Sequence, residues 1–334
     1  MRRRKWNIVD WILGAVLLVG LAACSTIDED MSDCGEEFEM EYKLHVITNI
    51  ETELQSQLTS DKEKQVADAL RNHLADIFTY IAHDIDLSFY DTGKDANLLY
   101  HQSNVMDDKE KTYTLFLPAQ DYLHLALANL QNNSQVSVTG GDSRDTQALV
   151  QKTGETIESH ETGIFTARSE IDVKEDVDQT FHVDLYMANS ATALVIENTS
   201  GVEVKDIQVY ATGFATGFNV NDSTYTFVDN PPLIHAQSVS TGVDDMLCFC
   251  TVNFPSRDKA VGEEPLWQYV VYVTLADGSV TKSELKIDDP LKAGDLKIVK
   301  AYLQADGSLL PESKQVGVSV TLDWKQGGSY DSGI

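Results

Sequence analysis

The sequence predicts a mostly β protein made of two tandem β-sandwich domains, the first of which carries one α-helix. Three observations support this fold class. Apolar and polar residues alternate in many short segments, as expected of strands with one buried face. One segment alone has helical periodicity. No unit of about 20–50 residues recurs, which argues against solenoids and propellers.

Strand patterns fill most of the first half. They lie at residues 39–50, 83–91, 97–105, 111–118, 121–130, 134–139, 161–168 and 178–188. The pattern at 83–91 directs Ile85, Leu87 and Phe89 toward a core and the polar residues between them outward. Residues 141–160 are polar, and we expect a long loop there with a short ordered piece.

The helix is predicted over residues 61–81. Ser60 is followed three residues later by Glu63, the capping-box arrangement in which each residue satisfies a free backbone N–H of the other. Behind this start a single apolar stripe recurs at helical spacing, formed by Val66, Leu70, Leu74, Ile77 and Ile81. The stripe predicts that one face of the helix packs on the first domain.

The second half repeats the strand-rich style after a break near residues 188–190. Its patterns lie at 192–198, 203–211, 223–228, 246–253, 267–276, 279–287, 295–304 and 315–324. Asp277-Gly278 and Asp306-Gly307 mark tight turns. We therefore predict a first domain over 38–189, a second over 190–325, and a flexible tail over 326–334.

The first 23 residues are organised as a lipoprotein signal peptide. Basic residues 2–5 precede an apolar run from Trp11 to Ala23, which is shorter than the roughly 20 residues that span a bilayer. Leu21-Ala22-Ala23-Cys24 forms a lipobox, where the Cys24 thiol would accept a diacylglycerol before cleavage on its N-terminal side. The alternative is an uncleaved anchor helix with a chance cysteine.

A lipidated tether over residues 24–37 is predicted to hold the protein at the outer membrane through Cys24. The small, acidic segment 25–30 resembles the export signal of surface lipoproteins in one group of Gram-negative anaerobes. That resemblance implies a location facing the cell exterior. A solvated, flexible tether is a compatible interpretation of the same residues.

Charge excludes one class of partner. The chain has 25 basic and 53 acidic residues, and removal of residues 1–23 leaves a formal charge of −31. Nucleic acids bind through neutralisation of phosphates by Lys and Arg, so no nucleic-acid partner is expected.

The cysteines besides Cys24 give no sign of chemistry. Cys34 lies in the predicted tether, and its state is left open. Cys248 and Cys250 occupy the same face of one strand, roughly 7 Å apart, which is too far for an unstrained disulfide. We interpret this pair as small buried hydrophobic residues.

A search for catalytic patterns finds none. The sequence lacks His-Glu-x-x-His, Gly-x-Ser-x-Gly, dinucleotide-binding and phosphate-loop motifs, and its eight histidines have no metal-ligand spacing. The acidic segment 170–178 could supply oxygens to calcium but lacks an EF-hand loop. No enzyme activity, cofactor or metal is predicted.

The last strand pattern is the most regular. In the segment 316–324 every second residue is apolar and each intervening one is small or polar. A regular terminal strand can complete its own domain, or it can pair with another chain at a sheet edge. The candidate assembly residues are Val316, Val318, Val320, Leu322 and Trp324.

Four stretches give the chain a family resemblance. They are the lipobox with Ile27–Cys34, the strand that follows, the helix leading into His83–Tyr90, and the closing segment 316–324. In this order they resemble the FimB-like (Mfa-type) fimbrial anchor lipoproteins of type V pili, whose shafts consist of fimbrillins. The resemblance implies transthyretin-like Greek-key sandwiches, and a non-catalytic subunit that fixes fimbrial shaft subunits to the outer membrane.

Strand exchange between subunits is a further implication of the resemblance, and it assigns the residues of 316–324 to assembly. Two other classes of function stay open. A surface glycan-binding lipoprotein would need exposed aromatic residues, for which Trp267, Tyr269 and Tyr225 are candidates. A surface hydrolase would need a pair of carboxylates, which the sequence does not single out.

Overall fold

The computed structural model describes residues 35–45, 49–78, 83–105, 112–260, 262 and 264–323. Within these ranges the chain forms 22 strands and two helices, so the predicted mostly β class is confirmed. The strands make four sheets, of seven, six, five and four strands. No helix in this part of the chain is both long and apolar enough to cross a membrane.

The first half contributes ten strands. They are β1 Glu36–His45, β2 Asp84–Asp91, β3 Leu98–Val105, β4 Thr112–Leu117, β5 Asp121–Ala128, β6 Val136–Thr139, β7 Ala148–Gln151, β8 Thr156–Glu158, β9 Phe165–Asp172 and β10 Gln179–Met187. The polar region 141–160, which we predicted to be mainly a loop, therefore contains two short strands.

The second half contributes twelve strands. They are β11 Ser190–Glu197, β12 Val204–Thr212, β13 Gly217–Asn219, β14 Thr224–Thr226, β15 Leu233–His235, β16 Gln237–Val239, β17 Met246–Asn253, β18 Trp267–Leu275, β19 Val280–Ile287, β20 Leu296–Leu303, β21 Leu309–Pro311 and β22 Val316–Asp323. The Asp-Gly turns are present, and Gly278 and Gly307 have φ of 84° and 79°, a region that favours glycine.

The seven-stranded sheet belongs to the first half and has the order β3-β2-β5-β9-β10-β1-β4. Its inner face follows the predicted alternation, since Ile85, Leu87 and Phe89 are buried. β1 and β10 are parallel, whereas the other neighbouring pairs in this sheet are antiparallel. The first and last strands of this sheet in chain order, β1 and β10, therefore lie side by side.

Two helices pack on the inner face of this sheet. The helix α1 spans Ile50–Gln57 and α2 spans Asp61–Ile77. The predicted capping box is confirmed, because the Glu63 N–H donates to Ser60 Oγ and the Ser60 N–H donates to Glu63 Oε2 at 2.7 Å. The apolar stripe of α2 is buried as predicted at Val66, Leu70, Leu74 and Ile77.

The prediction of one helix ending at residue 81 is wrong. The helix α2 ends at Ile77, because Phe78 takes non-helical torsion angles as its C-cap, and Ile81 lies outside the described residues. The helix α1 was not predicted. It buries only Leu54 within its span, and this is too few apolar positions to produce a periodic signal.

A small four-stranded sheet, β14-β13-β7-β6, covers part of the outer face of the seven-stranded sheet. This cover explains why Ser88, on the outward face of β2, is buried. Gln147 Nε2 donates to Ser88 Oγ at 3.2 Å there. Because β6 and β7 come from the first half and β13 and β14 from the second, this small sheet joins the two halves.

The second half forms a sandwich of two sheets. The five-stranded sheet has the order β16-β17-β11-β20-β21, and the six-stranded sheet has the order β22-β19-β18-β12-β15-β8. The core between them contains Trp267, Tyr269 and Leu285, all fully buried. The short strand β8 of the first half pairs with β15, which adds a second link between the halves.

The helices lie between the seven-stranded and the five-stranded sheets and contribute to one continuous core with both. Cys248 and Cys250 face this core from β17 as free, buried thiols. Burial raises the pKa of the Cys248 thiol to about 12. Both cysteines therefore serve as small apolar core residues, and the helices of the first half pack on strands of the second.

Candidate functional site

The strand β22 forms one edge of the six-stranded sheet. It pairs antiparallel with β19 along its whole length, from Val316 opposite Ile287 to Asp323 opposite Val280. Among the described residues no strand pairs with its other side. An edge of this kind presents a row of backbone N–H and C=O groups that another strand can satisfy.

Side-chain exposure distinguishes β22 from its neighbour. Val318 and Val320 are each 43% exposed, whereas Leu285, directly opposite Val318 on β19, is fully buried. Residues opposite each other in an antiparallel pair share a face, so the two valines extend the inner, apolar face of the sandwich. Among the described residues, the opposite sheet covers this part of the inner face only in part.

The incomplete cover of this face has a geometric cause. The five-stranded sheet ends at β21, which has only three residues. The Leu309 N–H on β21 donates to Ser283 Oγ on β19 at 3.0 Å, so β21 lies over β19. Val320 is the partner of Ser283 one strand further out, and it lies at the margin of this cover.

The predicted assembly residues have different surroundings. Val316 is partly buried against the sandwich core, and Val318 and Val320 are exposed. Leu322 pairs with Thr281 through its backbone. Trp324 and Cys24 lie outside the described residues. Three of the predicted residues thus lie along one apolar edge.

The opposite face of the same edge is polar. Ser319 and Thr321 are exposed and lie opposite Glu284 and Lys282 of β19. These two β19 side chains form an ion pair, with Lys282 Nζ 2.9 Å from Glu284 Oε1. Burial disfavours the charged lysine, but the bond to Glu284 outweighs it and raises the pKa of Lys282.

Of the aromatic residues considered for glycan binding, two are buried in the fold and Tyr225 is partly buried. Trp267 and Tyr269 are completely inaccessible, and the Tyr225 hydroxyl donates to the Ala188 carbonyl at 2.7 Å. The two buried rings have no face open to a sugar, and the Tyr225 ring packs against Phe218 and Phe254. Within the described ranges no group of three His, Cys, Asp or Glu side chains could hold a metal ion.

Sequence reasoning missed a second edge, that of β20. Asn49 and Glu53 of α1 bond to the β20 backbone there. Neither residue belongs to a motif. Asn49 stands just before a helix, where asparagine is a common N-cap, and this local role gives no indication of a contact with a strand some 250 residues later.

Solved structures share the fold. A candidate adhesin from Bacteroides thetaiotaomicron matches with a TM-score of 0.53 at 10% identity, covering 85% of this chain and 96% of that one. The fimbrial anchor protein Mfa2 from Porphyromonas gingivalis matches with a TM-score of 0.49 at 12% identity, covering 86% and 99%.

A third structure, a candidate polysaccharide binding protein from Bacteroides thetaiotaomicron, gives a TM-score of 0.49 at 10% identity, covering 84% and 97%. At such identities the likeness concerns the fold alone. A comparison with curated protein sequences finds no match.

The family is identified by sequence. The profile of the fimbrillin-A associated anchor proteins Mfa1 and Mfa2 matches residues 52–243, more than half of the chain. This family consists of fimbrial anchor proteins of the cell surface and is not a family of enzymes. The chain therefore belongs to the family of fimbrillin-A associated anchor proteins Mfa1 and Mfa2.

Proposed function

We propose that this protein is a non-catalytic lipoprotein of the outer membrane, attached through lipid on Cys24 and facing the cell exterior. In this role it fixes fimbrial shafts to the cell and contacts a shaft subunit through β22. The observation that carries the second part is the incompletely covered inner face of β22, with Val318 and Val320 each 43% exposed.

Two physical features support β22 as the contact. Its free edge can extend the six-stranded sheet into a partner strand, with backbone hydrogen bonds giving affinity. Its exposed valines offer the partner apolar surface, worth roughly 25 cal/mol per Å² when it is removed from water. A partner that pairs with β22 could therefore gain both kinds of contact.

Strand exchange is the stronger form of the same proposal. Because Val318 and Val320 keep a large part of their surface exposed, release of β22 from β19 would uncover less apolar surface than release of a core strand, besides breaking backbone hydrogen bonds. A strand of the partner can replace those bonds. Val316, Val318, Val320, Leu322 and Trp324 would then lie at the exchange surface.

The contact is tested in the host by electron microscopy of surface fibres. Val318→Asp with Val320→Asp places two charges on the apolar face. Ser319→Asp with Thr321→Asp places the same charges on the polar face of the same strand and serves as the matched control. We expect shed or abnormally long fibres for the valine pair only. Normal fibres from a folded, surface-located valine variant would refute the β22 contact.

The lipid attachment is tested separately. In Cys24→Ala we expect unprocessed protein that is absent from the outer membrane, with fibres shed into the culture medium, whereas Cys34→Ala should keep both the protein and its fibres on the cell. Retention of the Cys24 variant on outer membranes, with unchanged fibres, would contradict anchorage through this residue.

A further inference from the structure

The five-stranded sheet has an open edge at the beginning of β20. The strand β21 pairs only with Ala301–Leu303, and the Glu312 N–H donates to the Lys300 carbonyl at 3.0 Å. In the part of the chain that the structure describes, no strand pairs with the preceding residues, Leu296–Val299, on this side. About half of the edge is therefore available to something other than a strand of this sheet.

Side chains of α1 occupy that half. Asn49 Oδ1 accepts from the Leu296 N–H at 2.9 Å, and Asn49 Nδ2 donates to the Leu296 carbonyl at 3.1 Å. Glu53 Oε1 accepts from the Ile298 N–H at 3.1 Å. A primary amide that bonds to both groups of one residue reproduces the hydrogen bonds of a paired strand.

In this arrangement α1 lacks a side-chain hydrogen bond at its N-terminus. Asn49 is the N-cap residue of α1, yet its side chain makes no capping bond. The helix has eight residues, too few to be stable in isolation, and within its span only Leu54 is buried. Besides the bonds to β20, α1 is held by buried Leu54 and by Glu51, whose carboxylate accepts from Arg71 Nε of α2 at 2.6 Å. Few contacts therefore retain α1 as a cover of the edge.

The space beside this edge suits an extended segment. A cleft of about 720 Å³ adjoins it, lined by Ile287, Val299 and Val316 together with a larger number of polar and charged side chains. On β20 itself, Leu296 and Ile298 face the helical core and Val299 faces the sandwich core. A strand placed here would have apolar neighbours on both faces, which favours β-branched residues in the incoming chain.

We propose that the outer edge of β20 is a masked acceptor for an extended, β-branched segment of a fimbrial partner subunit, and that α1 is its displaceable cover. On displacement, the backbone of the incoming strand replaces the three bonds from Asn49 and Glu53. The inference rests on the proposed function for the identity of the partner.

The test uses the purified mature chain and a fluorescein-labelled peptide with the sequence of residues 316–323, VGVSVTLD, as a strand of the required chemistry. Asn49→Ala with Glu53→Ala removes the cover bonds. Thr52→Ala with Ser56→Ala changes the exposed face of the same helix and is the control. Glu53→Gln, which keeps an acceptor oxygen, should behave like the unchanged chain.

We expect the uncovered variant to bind the peptide at least tenfold more tightly than the control in fluorescence anisotropy. Hydrogen exchange at the Leu296 and Ile298 amides should be at least tenfold faster in that variant, and the peptide should restore protection. If the double variant does not fold, Glu53→Ala alone is measured in the same way, with the same expectation for Ile298.

Faster exchange at these amides without tighter peptide binding would overturn the proposal, and α1 would then be a permanent cover of the edge. Self-association of the uncovered variant in ultracentrifugation, with no peptide binding, would also overturn it. Because the fibre experiments on β22 and Cys24 need no peptide, a failure here leaves the anchoring function standing, and the converse also holds.

Discussion

The two sheet edges of the second half differ in how they are finished. At the β20 edge, backbone groups are hydrogen-bonded by β21 and by the side chains of Asn49 and Glu53. At β22 no described residue pairs with the outer side, and two valines remain exposed on the inner face. Proteins usually block free edges, so an edge left open and apolar supports the proposal that β22 contacts a shaft subunit.

The largest expected difference concerns two residues that face each other across β19 and β22. Leu285→Ala should lower the free energy of unfolding by about 2–5 kcal/mol, because it leaves a cavity in the sandwich core. Val318→Ala, directly opposite but exposed, should cost less than about 1 kcal/mol. Urea unfolding of both variants measures the contrast, and equal costs would show that β22 is part of the core.

A second, intermediate effect concerns the attachment of α2 to β20. Lys300 Nζ on β20 lies 2.8 Å from Glu63 Oε1, the residue that also closes the capping box. Burial disfavours the ionised carboxylate, but the bonds from Lys300 and Ser60 outweigh it and lower the pKa of Glu63 to about 2. Glu63→Gln should cost about 2 kcal/mol at pH 7.

The sign of the pH dependence follows from this lowered pKa. Glu63 contributes its stabilisation above its ordinary pKa of 4.5, and loses it as the pH falls toward 2. The difference between Glu63→Gln and the unchanged chain should therefore shrink between pH 5 and about 2. Urea midpoints across this range check it, and a constant difference would assign the effect to packing.

The smallest expected loss of stability comes from removing the bonds that a single residue of the cover makes to β20. Asn49→Ala removes both bonds to Leu296 and should cost about 1 kcal/mol, since the edge lies close enough to solvent for water to replace part of them. Exchange of the Leu296 amide should accelerate while amides of β22 stay unchanged. Equal acceleration on both strands would mean that the two edges open together.

Local rules predicted the local parts of this fold. The capping box at Ser60 and Glu63, the alternation in β2 and the Asp-Gly turns depend on neighbouring residues, and each is present. The helix α1 and the strands β7 and β8 were missed because tertiary contacts maintain them. Short segments of this kind carry too few residues for a periodic signal.

The candidate site shows the same division. Alternation at 316–323 predicts a strand, and the structure has one. Whether its valines are buried depends on how far the opposite sheet extends, which no pattern within the strand reveals. The roles of Asn49 and Glu53 depend on β20, so they could be found only after the sheet order was known.

The parallel pairs β1–β10 and β11–β20 have a consequence for how the chain folds. Phe38 pairs with Gln179, and Ala191 pairs with Leu296, so each sheet closes only after more than 100 further residues are available. The side of the helices that packs on the five-stranded sheet is covered only after β17 and β20 are available. Such non-local contacts slow folding. A chain that is synthesised from its N-terminus would therefore remain incompletely folded until β20 is available. Until then its amphipathic helices would be accessible to chaperones.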